Sequence, residues 1–190
     1  MAKSNSFNNA SGFSLVETLV AVSLMATAIV TLAQLFALST RTNISSHNTT
    51  YAAVLAEQKL EELRALSWGF DTQGLPMSDS TTDTSVTPES STGGTGLSPS
   101  PTTALSENTA GYVDYVGAFG NKLGGGGSLP ENALYTRRWS ITPLPTNPNN
   151  TLVIQVLVTR LFDRGQADQG NVGRLPEEAR MIAVRTRKAQ

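Results

Sequence analysis

Few residues in this chain can do chemistry, and three of them stand close together near its start. Gly12, Phe13 and Glu17 lie in GFSLVETLVAV, residues 12–22, where a glycine and an aromatic residue lead into an apolar run carrying one carboxylate. An acid at the centre of a membrane helix costs about 2.5–3.5 kcal/mol on the milder insertion scale, so Glu17 calls for a partner. A cut between Gly12 and Phe13 would supply one. It would free an α-amino cation at Phe13, four residues before Glu17 and one helical turn away. The pair could close within one chain, or Glu17 of an incoming copy could neutralise the Phe13 amine of a copy already in place. In hydrocarbon the unpaired state is expensive, so the pairing would favour one axial register between helices.

Elsewhere the chemical inventory is thin. The chain has no cysteine, which excludes disulfides, zinc-thiolate sites and thiol nucleophiles, and its single histidine, His47, sits in the polar run SSHNTT without a second histidine for a metal pair. Asp71, Asp79, Asp83 and Glu89 carry oxygens suited to calcium, but TTDTSVTPE lacks the alternation and the glycine of a calcium loop. With no triad spacing and no paired carboxylates in an apolar setting, an enzyme is not expected, nor a metal or a cofactor. Fourteen Lys and Arg against fifteen Asp and Glu give a net charge of -1, so there is no overall electrostatic case for nucleic acid or anionic lipid.

The elements that would hold Gly12, Phe13 and Glu17 begin with an apolar segment over 13–38, whose only ionisable side chain is Glu17. As a helix it would rise about 39 Å, more than the roughly 30 Å of a bilayer core. Its alanines at 21, 26, 28, 33 and 37 keep the surface small and suit close helix approach. Helical character returns over 39–67, where Ala52, Leu55, Ala56, Leu60, Leu63 and Leu66 recur at three- and four-residue spacing. Glu57, Lys59, Glu61, Glu62 and Arg64 fall mostly off that stripe. Between the two, RTNISSHNTT (41–50) is the weak point, because its hydroxyl and amide side chains compete for backbone hydrogen bonds; a bend or break is expected there.

Over 71–110 the composition changes: 26 of the 40 positions are Ser, Thr, Gly or Pro. Such a stretch buries too little apolar surface to offset its ordering entropy, and it is expected to be a disordered loop. Strand-like runs follow at 112–119, 134–144, 151–162 and 179–188, separated by the turn-rich NKLGGGGSLPEN, PLPTNPNN and DRGQADQGNVGRLPEE. The second and fourth alternate as strands with a wet face do, and the third, rich in Leu, Val and Ile, is expected at the centre of the sheet. The fold class is therefore α+β: a long N-terminal helix packed on a small antiparallel sheet of about four strands, over 111–190.

Two ordinary explanations of the N-terminus fit poorly. A secretory signal peptide has an apolar stretch of about 7–15 residues, and this one is longer and acidic. A plain anchor leaves Glu17 unexplained. The run Gly12-Phe13-Ser14-Leu15-Val16-Glu17-Thr18-Leu19-Val20, after a short polar leader (1–12) and before a long apolar helix, resembles the class III signal of type IV pilins and of type II secretion pseudopilins. The resemblance implies cleavage after Gly12 by the prepilin peptidase, methylation of Phe13, and a role for Glu17 in assembly. It implies partners too: the peptidase, other pilin or pseudopilin subunits, and the inner-membrane assembly platform. The chain would cross the inner membrane once, with its head in the periplasm, and enter an extracellular or periplasmic fibre. Gln34 stands where major pilins commonly carry proline, and no cysteine is present for their C-terminal disulfide loop, both of which point to a minor subunit. A minor type IV pilin is the first expectation, a minor pseudopilin the second.

A third expectation is a DNA-uptake or adhesive tip subunit. Arg137, Arg138, Arg174, Arg180, Arg185, Arg187 and Lys188 would form a basic surface for nucleic acid if their strands align. The alternative is a set of scattered, solvated arginines on exposed strand faces.

Overall fold

The first element of the computed structural model, which describes residues 12–161 and 177–187, is a 51-residue helix, α1 (Leu15–Ala65). Helix continues unbroken through 41–50, where a break or a bend is expected from the sequence. The reason is that the hydroxyls of that stretch turn back along the helix: Thr42 donates to Leu38 O at 3.0 Å, Thr49 to Ser45 O at 3.0 Å and Thr50 to Ser46 O at 2.9 Å. They add to the helical carbonyls' hydrogen bonds and leave the backbone ladder in place. The chain divides between Ile44 and Ser45 into an N-terminal unit and a head, Ser45–Gln190.

Among the described residues seven strands follow: β1 (Trp68–Phe70), β2 (Pro76–Ser78), β3 (Val113–Gly117), β4 (Lys122–Gly125), β5 (Ala133–Pro143), β6 (Thr151–Arg160) and β7 (Ala179–Thr186). β1 and β2 form a small hairpin, and the other five make one antiparallel sheet in the order β4-β3-β5-β6-β7. The fold is α+β as expected, with two differences in the sheet. β4 arises inside the glycine-rich run that reads as a turn, and β5, not the more apolar β6, lies at the centre.

One sheet face packs on the head portion of α1. Tyr135, Trp139, Ile141, Leu152, Ile154, Val156 and Val158 share a core with Ala52, Leu55, Ala56, Leu60 and Leu63. Fully burying a side chain such as Leu63 contributes about 1.5–3 kcal/mol, and this stripe is what ties helix to sheet.

The segment expected to be disordered packs against the sheet, Thr84 meeting Lys59 on the α1 side and Asn108 meeting Arg138 on the other face. Over 71–110 its aspartates and hydroxyls fix the backbone directly: Asp71 Oδ1 accepts from the amides of Gln73 and Leu75 at 2.9 and 2.8 Å, and Asp79 Oδ1 from those of Thr81 and Thr82 at 3.0 Å each. Burial pushes the Asp79 carboxyl up, but the bonds from the Thr82 hydroxyl and the two amides outweigh it and hold it below 3.8. Leu97 and Ala104 enter the core, and the Tyr112 hydroxyl donates to Ser98 O and Pro99 O at 3.1 and 3.0 Å. Gly94 is required for one crossing, since a Cβ there would lie 2.3 Å from Asp83 Cα. Local polar bonding thus replaces the apolar burial that the composition withholds. In consequence β5, expected to have a wet face, is buried on both faces from Tyr135 to Ile141.

Candidate functional site

In the N-terminal unit, helical residues begin only at Leu15, so Phe13 lies ahead of the first turn. Ser14 caps that turn: the Glu17 amide donates to Ser14 Oγ at 3.2 Å and the Thr18 amide to Ser14 O at 3.2 Å. Ser14 and Glu17 are therefore spaced as the N-cap and N3 of a capping box, and the Glu17 carboxylate lies at the positive end of the helix dipole. This local role was legible in the S-x-x-E spacing and escaped the sequence reading. Gly12 is exposed, and a Cβ placed on it meets nothing within 4 Å, so no packing among the described residues asks for glycine there.

Every described residue of 12–44 is exposed, including Phe13 at 82% and Leu15 at 80%. The helix hydroxyls are satisfied internally: Thr18 donates to Leu15 O, Ser23 to Leu19 O, and Thr31 to Thr27 O, each at 2.8 Å. The polar atoms are folded away, and what faces outward is chiefly apolar. Among the described residues α1 is one helix long and apolar enough to cross a membrane, compatible with single-pass anchoring.

The head holds a buried ion cluster that the sequence reading did not assemble. Lys59 Nζ, wholly buried, donates to Thr84 O and Thr84 Oγ1 at 2.8 Å each and to Asp114 Oδ2 at 3.0 Å, and it lies 3.9 Å from the centroid of the Trp139 ring. Arg137 clamps the same carboxylate with both edges of its guanidinium, Nε to Oδ1 at 2.7 Å and Nη2 to Oδ2 at 2.8 Å. Glu62 Oε2 sits 3.5 Å from Lys59 Nζ and 3.0 Å from Lys122 Nζ. Burial pushes the Lys59 ammonium below its ordinary 10.5; Asp114 opposes this, Arg137 adds to it and Glu62 opposes it. The cluster joins α1, the covering segment, β3, β4 and β5 through charge-assisted bonds. Lys59, Asp114 and Arg137 at its centre are all at 0% exposure, while Glu62 and Lys122 at its margin are partly exposed. Its signal was present in the sequence: position 59 falls at helical spacing with Ala52, Ala56 and Leu63, inside the apolar stripe.

The arginines expected on a basic or solvated surface do other work. Arg137 and Arg138 are both buried, the latter donating through Nε and Nη2 to Asn108 Oδ1 at 3.0 and 2.7 Å, so neither expectation holds for them. Arg185 donates to Leu63 O and Leu66 O at 3.3 and 2.7 Å, satisfying carbonyls at the end of α1. Arg187 lies 3.5 Å above the Trp68 ring and donates to Gly69 O, Met77 O and Asn149 O, tying the β1–β2 hairpin to the β5–β6 turn. Arg180 is exposed, 4.0 Å from Glu178, while Arg174 and Lys188 lie outside the described residues. No group of three or more His, Cys, Asp or Glu that could hold a metal occurs among the described residues, and His47 is exposed.

No protein-family model, no curated protein and no solved structure matches this chain. The architecture itself defines an α+β protein with one candidate membrane helix at its N-terminus and a sheet-bearing head.

Proposed function

We propose that this chain is a minor type IV pilin, a structural subunit held in the inner membrane by 13–38 and then built into a fibre, which it primes or tips. The observation that carries the reading is the conjunction at the start of α1. A glycine that no contact among the described residues requires is followed by Phe13, a capped helix start and Glu17, and then by a long apolar helix surface that is exposed among the described residues. Such a surface needs lipid first and other helices later. The prepilin peptidase would read Gly12 and cut before Phe13, and the exposed amine would receive methylation. Once freed by that cut, the Phe13 amine would pair with Glu17 of its own chain or of a neighbouring subunit.

A minor pseudopilin of type II secretion would use the same residues. The tip reading through nucleic acid loses its main support with the burial of Arg137 and Arg138. The test is to shear surface fibres from cells making the chain and probe them for the head. Recovery in pilus fibres supports the first reading; a chain confined to the cell envelope, whose loss blocks protein secretion and leaves pili intact, would replace it with the second.

A further inference from the structure

We draw no further inference here: the strongest candidate, the cavity of about 340 Å³ between the β1–β2 hairpin, the 71–110 segment and the β5–β6 turn, carries nothing because the Arg187 guanidinium in its wall is committed to Gly69 O, Met77 O and Asn149 O and the Asp79 carboxylate to Thr81 and Thr82, so nothing in its lining shows what it would hold.

Discussion

Replacing Asp114 by asparagine keeps the shape of the side chain and removes the anion on which Lys59 and Arg137 converge. Three charge-assisted bonds of 2.7–3.0 Å are weakened together, at positions with no access to water. Taking one partner from a buried ion pair costs about 3–5 kcal/mol, against a whole-domain stability on the order of 5–15 kcal/mol. The two cations do not respond alike. Lys59 can shed its proton, whereas Arg137 cannot, so the uncompensated charge remains on Arg137. Lys59→Met should therefore cost far less, about 1–2 kcal/mol, because Asp114 keeps its two bonds from Arg137 and the methionine fills the space of the lysine stem. The double variant should be less destabilised than the sum of the two single variants. Urea unfolding of the full chain in micelles, followed by the fluorescence of Trp139 and Trp68, reads all four corners of this cycle. An Asp114→Asn loss within about 1 kcal/mol of wild type, or strict additivity, would refute the idea that one carboxylate organises the cluster.

The depressed Lys59 value also sets a pH dependence. Between the folded value and 10.5 the unfolded chain binds the extra proton, so this group's contribution to stability rises with pH across that window and levels off above 10.5. In Lys59→Met that slope should vanish, as unfolding midpoints from pH 7 to 10.5 would reveal. Ser14→Ala removes the cap of α1 and should cost the first turn about 1 kcal/mol, seen as faster exchange of the Glu17 amide; unchanged exchange would mean the cap is idle. Glu17→Ala should leave cleavage after Gly12 intact and reduce the chain's recovery in sheared fibres, whereas normal incorporation would remove the role assigned to the carboxylate.

Periodicity made the fold class legible: the 3–4 spacing of Ala52 through Leu66 marked the buried helix stripe, and alternation placed strands within a few residues of β3, β5, β6 and β7. What it missed follows from polar chemistry. Thr42, Thr49 and Thr50 look like helix breakers by propensity, yet their hydroxyls bond within the helix. Asp71, Asp79 and Asp83 lie in a composition that suggests disorder, yet each folds the backbone around its own carboxylate. Arg137 and Arg138 alternate as a wet strand would, and only the segment lying over β5 shows that both sides are covered. Of the candidate site, Gly12, Phe13 and Glu17 were legible because a lone acid in an apolar run is conspicuous. The Lys59, Asp114 and Arg137 cluster was not assembled because its members are 55 and 23 residues apart and meet only when the helix docks on the sheet.

The reading of Gly12, Phe13 and Glu17 as a processing and assembly signal stands or falls on where the mature chain begins. Intact-mass and N-terminal peptide analysis of the protein recovered from membranes should find Phe13 as the first residue, carrying a methyl group on its amine. A chain still beginning at Met1, or one cut after Ala37 as a secretory signal would be, contradicts it.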